Sequence, residues 1–425
     1  MYAKTPNNII NTGNITAGNN SIGIYGYGIN NNAAITAGNN GIGIFSQDGN
    51  VTLAGSVNVG NGEAVAVFTN GTGQTINSTA DINIGDNSYG FVIKGNGTNA
   101  VINDANGVAV GNDTVFVYSS DNTGNIINYT NLTATGKNNY GLYTSGTTTN
   151  YGNIDFGAST GNVAIYAGEG YARNGDGITN PVITVSGTDK SNPADVYYGI
   201  GMAAGYENQK HGVIENFGTI NVSKDNSIGM YASGKGSVAI NRGDINLSGK
   251  KTTGMYLDNS AIGENYGTIR TVPNPANDGI IGVVATNKSI IKNYGHIIID
   301  APNSVGIYHK DGTIEAEGDI QVSGTDSQRT RTAELTDTSK RVRGITINAV
   351  PLAGKATVTR TGSIAPITSV DTITVSPSVE QVKVGSTTLD IANYIQMPNV
   401  NLGGGSTELG MYVDTSGVNY TNPIE

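Results

Sequence analysis

The chain has 425 residues, no cysteine, and a formal net charge of −10 from 23 basic and 33 acidic side chains. Lack of cysteine excludes disulfides, thiolate metal sites and cysteine nucleophiles, and the acidic balance disfavours nucleic acid as a partner. Glycine supplies 61 residues, about twice the usual share, while charged residues make up only 13%, a composition that points to repetition more than to separate compact domains.

In chain order, residues 1–10 lack the basic-then-apolar design of a signal peptide, so an export signal and any membrane anchor are expected outside this stretch. Self-similarity begins at once. Residues 15–20 (ITAGNN) recur as 35–40, and Ile22-Gly23-Ile24-Tyr25 recurs as Ile42-Gly43-Ile44-Phe45. Two signatures then alternate. The first has the form Asn-aromatic-Gly-x-Ile, as at Asn216-Phe217-Gly218, Asn265-Tyr266-Gly267 and Asn293-Tyr294-Gly295. The second, Ser-apolar-Gly-apolar-Tyr, has its central position at Gly23, Gly43, Ala66, Gly90, Phe116, Gly141, Ala164, Gly199, Gly229, Gly254, Gly282 and Gly306.

Apolar residues sit two apart inside both signatures, as in Ile22/Ile24, Val65/Val67, Ile82/Ile84, Ile154/Phe156, Ile220/Val222 and Ile245/Leu247. That is strand periodicity, and no amphipathic helical window accompanies it. A third apolar run precedes the asparagine, for example Val213-Ile214, Val238-Ala239-Ile240 and Ile290-Ile291. Three short strands per turn of roughly 20–28 residues predict an all-β fold, a right-handed parallel β-helix whose turns bury their aliphatic pairs against one another. The asparagines Asn150, Asn216, Asn241, Asn265 and Asn293 are expected at a corner, with left-handed backbone angles and amides stacked in a ladder. Strand alternation predicts that the glycines of the second signature point outward and leave a shallow groove. Tyr25, Tyr118, Tyr143, Tyr166, Tyr231, Tyr256 and Tyr308 share one slot, where they either stack on each other to protect the corner or form an exposed binding stripe.

The repeat breaks in three places. Extra length near 171–195, with Pro181 and Pro193, predicts a side loop. The regular coils of 1–323 give way to an irregular stretch, 324–407, that opens on the only basic cluster of an acidic chain: Arg329, Arg331, Lys340, Arg341 and Arg343. These five are the candidate binding residues. Strand-rich text at 370–395 suggests a small β insertion or hairpin, and coil text resumes over 408–425.

Chemistry is harder to find. His211, His296 and His309 have no histidine or carboxylate partner at a ligand-like spacing, so no metal site and no cofactor are expected. Serine lacks an activating elbow. Asp225, Asp244, Glu264 and Asp319 could approach by stacking, as polysaccharide cleavage would require, but they read as belonging to different template slots. A non-enzymatic protein is expected. The tripeptide Arg242-Gly243-Asp244 spells an integrin ligand, yet the template accounts for it as a strand start.

Asn-aromatic-Gly-x-Ile followed by Asn-Ser-Ile-Gly-Met-Tyr, seen over 216–231, resembles the passenger region of large fusobacterial autotransporter (type V secretion) adhesins, as does ELGMYVDTSGVNYTNPIE over 408–425. The resemblance covers most of 11–323 and 408–425 and is weaker over 324–407. It implies a β-helical passenger at the outer membrane surface of a Gram-negative bacterium, a monomer that touches the membrane only through an anchor beyond this segment. It also implies adhesion to a host-cell or bacterial surface protein or glycan. Two alternatives remain beside it: a stalk or autochaperone segment with no ligand of its own, and a carbohydrate-active β-helix enzyme.

Overall fold

The computed structural model describes residues 1, 8–188, 198–205, 210–316, 318–325, 327–332, 381–384 and 387–390. Among them every regular element is a strand, and the strands wind as a right-handed parallel β-solenoid. One winding shows the plan: an asparagine strand, Val238–Asn241, a short strand, Asp244–Leu247, and a tyrosine strand, Thr253–Asp258. Each pairs in parallel with its equivalents before and after. Ala239 lies between Ile214 and Gly263, Ile245 between Ile220 and Ile269, and Met255 between Met230 and Val283.

The windings divide into two compact units, one ending at Gly152 and the other beginning at Asn153. In the first unit, asparagine strands run from Ile9–Asn11 to Thr147–Asn150 and tyrosine strands from Ile22–Gly26 to Tyr140–Thr144. In the second, asparagine strands run from Gly170–Asn174 to Thr313–Ala316, short strands from Ile154–Phe156 to Asp319–Ser323, and tyrosine strands from Asn162–Ala167 to Gln328–Thr332. Gln381–Val384 and Thr387–Asp390 pair antiparallel; the rest of 333–425, where a β insertion and resumed coil text are expected, lies outside the described residues.

Alternation places Ile245 and Leu247 fully inside, with Asp244 and Asn246 half-buried on the outer face. In-register stacking keeps each aliphatic over its like, because a one-residue slip would turn the whole inner set outward. The inner end of the asparagine strand carries a polar ladder. Asn216, Asn241, Asn265 and Asn293 are fully buried, and each amide nitrogen donates to the next amide oxygen: Asn216 to Asn241 at 2.9 Å, Asn241 to Asn265 at 2.8 Å, and Asn265 to Asn293 at 2.7 Å. The same nitrogens donate to the carbonyls of Gly218, Gly243 and Gly267, closing the turn that follows. Burial of these amides is tolerable because they are hydrogen-bonded.

Four expectations need correction. The ladder asparagines are absent from the left-handed positions; those belong to the opposite corner, at Asn20, Asn40, Asn87, Asn226 and Asn303 among others, with φ of 52–57°. A ladder asparagine ends an extended strand, so its backbone stays extended while its side chain makes the turn. The second-signature glycines face inward. A Cβ on Gly254 would lie 2.5 Å from the Gly282 carbonyl oxygen and 2.5 Å from Ile269 Cγ2, and Ile269 is fully buried, so the slot is a close approach and leaves no groove. Within the expected side loop two stretches are strand, Tyr171 to Asn174 paired with Val213 to Asn216 and Val182 to Ser186 paired with Thr219 to Ser223, and 175–181 between them is the loop that the described residues show. Finally, the winding continues past residue 323, since Gln328–Thr332 pairs with Val305–Lys310.

The shared tyrosine slot is buried throughout and its rings pack on each other, Tyr118 on Tyr143 at 5.2 Å and Tyr231 on Tyr256 at 6.1 Å. Self-stacking is the reading that holds there.

Candidate functional site

The surface most suited to recognition lies one residue beyond the asparagine ladder. There the asparagine points inward and the glycine two residues later is pressed against the neighbouring winding, which leaves the residue between them to project at the corner. In the second unit this slot holds Phe217, Arg242, Tyr266 and Tyr294 in successive windings. Tyr266 and Tyr294 are 43% and 56% exposed, with ring centroids 5.1 Å apart and planes 21° from parallel. That offset stacking leaves ring edges and hydroxyls open. The Arg242 guanidinium lies 4.7 Å from the Tyr266 ring centroid and 5.9 Å from that of Phe217, continuing the row through cation–π contact. In the first unit, Tyr129 and Tyr151 form a shorter stack of the same kind, also at 5.1 Å.

Beside the row runs a line of charge from the outer positions of the asparagine strands. Arg242 Nε donates to Glu215 Oε1 at 2.5 Å, and the Tyr171 hydroxyl donates to the other oxygen of this buried carboxylate. That bond to Glu215 holds the Arg242 pKa above its ordinary value. The Tyr266 hydroxyl donates to Glu264 Oε2 at 3.1 Å. Lys292 Nζ stands 3.7 Å from Glu264 and 3.5 Å from Glu315; desolvation opposes its charge, but the two carboxylates outweigh it and the ammonium pKa rises.

The short strands carry further pairs: Asp244 with Arg270 at 3.2 Å, and His296 with Asp319 at 2.9 Å. A hydrogen bond with His296 is the main cause that lowers the Asp319 pKa. Sequence spacing leaves this histidine without a partner, because its carboxylate lies one winding away. Asp244 and Asp319 also prove to share one slot, with Thr268 and His296 between them, so the reading of separate slots fails for this pair. All four carboxylates once considered for catalysis are held by donors: Asp225 by the Lys250 N–H, Asp244 by Arg270, Glu264 by Tyr266 and Lys292, and Asp319 by His296 and Gln321. No group of three or more His, Cys, Asp or Glu side chains suited to a metal occurs among the described residues.

Arg242-Gly243-Asp244 is built into this surface. Its arginine is tied to Glu215 and its aspartate to Arg270, and its glycine is packed 2.0 Å, measured from an added Cβ, against the Gly218 carbonyl oxygen. Of the basic candidates, Arg329 lies exposed in the strand Gln328–Thr332, Arg331 stands at the register position of Tyr308, and Lys340, Arg341 and Arg343 lie outside the described residues. Sequence reasoning quoted Tyr266 and Tyr294 as template and missed them as surface; the signal was the slot itself, flanked by an inward asparagine and a crowded glycine.

Residues 29–268 match a family model described as the BigA third pectate lyase-like domain. That span includes Phe217, Arg242 and Tyr266 and stops short of Tyr294 and Arg329. No curated protein and no solved structure matches the chain.

Proposed function

Because the chain belongs to the family described as the BigA third pectate lyase-like domain, we propose that it is a non-enzymatic β-helical passenger segment of an autotransporter adhesin. It is displayed at the outer surface of a Gram-negative bacterium. The sequence motifs over 216–231 and 408–425 favour the fusobacterial branch of such adhesins. The observation that carries the adhesive role is the exposed row through Arg242, Tyr266 and Tyr294. A spacer has no need of large aromatics held open to solvent, whereas adhesive surfaces are rich in them.

A pectate lyase-like family name invites the enzymatic alternative. Hydrolysis by a glycosidase sets two carboxylates across the scissile bond; the acids on this face pair instead with cations and hydroxyls, Glu215 with Arg242 and Tyr171, Glu264 with Tyr266 and Lys292, which supports the binding reading over hydrolysis. The test uses the purified 425-residue chain, immobilised on beads and offered to epithelial cells and to other bacteria. Saturable capture is expected. No capture at high density would reduce the segment to a stalk. Incubation with polygalacturonate is expected to yield no new reducing ends, and their appearance would restore the enzyme.

A further inference from the structure

We infer that the row Phe217, Arg242, Tyr266 and Tyr294 binds an uncharged β-1,4-linked glycan laid along the stacking direction, one sugar to each winding. The inference rests on the adhesive reading above and supplies its ligand class. Its first support is dimensional. Equivalent positions in parallel strands repeat at about 4.8 Å, and the open rings of Tyr266 and Tyr294 repeat at 5.1 Å. An extended β-1,4-linked hexopyranose chain advances by nearly the same length per residue, so it stays in step with the row over several windings.

The second support is chemical. The windings of Tyr266 and Tyr294 each offer an open aromatic side chain for the C–H side of a sugar, with the Tyr266 hydroxyl and Glu264 and the Lys292 ammonium between Glu264 and Glu315 as hydrogen-bonding groups beside them, and the winding of Arg242 offers a guanidinium paired with Glu215 in place of a ring. Carboxylates and cations fixed in pairs make strong acceptors and donors for hydroxyls while cancelling most of their outward field. A polyanionic chain gains little there, and it meets a protein of net charge −10. A neutral chain meets no such opposition. Rigidity is the third support. The rings are stacked and the guanidinium is held between rings and carboxylate, so little side-chain freedom remains to be lost on binding.

The test is calorimetric titration of the 425-residue chain with cellohexaose and with the hexamer of N-acetylglucosamine, the galacturonate hexamer serving as the charged comparator. At least one neutral hexamer is expected to bind saturably, its trimer about tenfold more weakly or worse because it spans fewer windings. Tyr266→Ala or Tyr294→Ala should each weaken the hexamer about tenfold or more, the ordinary effect of truncating an aromatic anchor, and the double variant should fall to the level of the trimer. Both side chains are half open to solvent, and an unchanged circular dichroism spectrum verifies that the variants fold. Asn83→Ala, on an exposed outer position of the first unit, should change nothing.

Three results would overturn the proposal: hexamer binding indifferent to both tyrosines, tighter binding of the galacturonate hexamer, or cell capture that persists without neutral-glycan binding and disappears when the cells are treated with protease. The last leaves adhesion standing with a protein partner. Loss of both capture and glycan binding removes the adhesive reading as well.

Discussion

Replacing Asn241 by aspartate is expected to destabilise the windings around it by about 3–5 kcal/mol at neutral pH, the usual consequence of leaving a buried charge uncompensated. Asn241 is fully buried. It accepts from Asn216 at 2.9 Å, and its own nitrogen donates to Asn265 at 2.8 Å and to the Gly243 carbonyl at 3.0 Å. Aspartate keeps the acceptor, loses both donations, and sets a charged oxygen against two other oxygens. A native residue marks the contrast. Asp258 is buried too, and burial raises its pKa, but Asn287 Nδ2, Thr286 Oγ1 and the Asn259 N–H donate to it at 2.6, 3.0 and 2.9 Å.

The sign with pH follows for both carboxyls. A folded pKa above the unfolded one means that the native state binds more protons, so the contribution to stability is fullest below the ordinary carboxylate value of 3.8 and is lost as pH rises through the folded pKa. Asn241→Asp should therefore recover part of its loss on acidification, whereas Asn241→Leu should cost less and show no such recovery. Leucine is already tolerated at the equivalent slot, as Leu53 in the first unit shows. Because stability in a solenoid is shared between neighbouring turns, hydrogen exchange across 213–269 is the appropriate readout. Uniform exchange across that span at neutral pH, indistinguishable from the native chain, would refute the ladder's role.

Gly267→Ala is the second large effect. A Cβ there would sit 2.0 Å from the Gly243 carbonyl oxygen and 2.8 Å from the Arg242 carbonyl carbon. Overpacking a core with one methyl group costs about 1–3 kcal/mol where side chains can yield. Here the obstacle is backbone, fixed by the ladder on one side and by the Thr268 N–H to Gly243 carbonyl bond on the other, so the upper end of that range is expected. Gly243 and Gly295 meet their preceding windings equally closely, at 2.0 and 2.1 Å. Gly13, with nothing within 4 Å of its missing Cβ, should accept alanine without loss. Equal melting temperatures for Gly267→Ala and Gly13→Ala would contradict the close approach.

These two residues also mark how much the sequence disclosed. Asn241 and Gly267 belong to the repeated template, and the template identified three strands per winding, the asparagine ladder and the absence of helix. Other features depend on which way a side chain turns. In the tyrosine strand the ladder pairs Ile22 with Ile42 and Ile24 with Ile44 but passes over Gly23 and Gly43. Simple alternation therefore assigns those glycines to the wrong side. Pairs such as His296 with Asp319 are 23 residues apart and adjacent only through stacking. Window-based spacing cannot reveal them; slot-by-slot alignment of windings does. The row at Tyr266 and Tyr294 was legible as a repeated aromatic, but its exposure follows from the inward asparagine and crowded glycine beside it, which only the folded corner makes plain.

Each winding lies directly on the next in fixed register. Asn221 and Asn246 test it, since they are register partners on neighbouring short strands, their amides joined at 3.0 Å, and the chain has no native cysteine to interfere. Nitroxide labels on an Asn221→Cys, Asn246→Cys variant should give an electron paramagnetic resonance spectrum strongly broadened by spin exchange, as expected for strands about 4.8 Å apart. Labels at Asn221 and Arg270, two windings apart, should show weaker broadening. A doubly labelled 221/246 spectrum that merely superimposes on the sum of its single-label spectra would contradict the stacked winding.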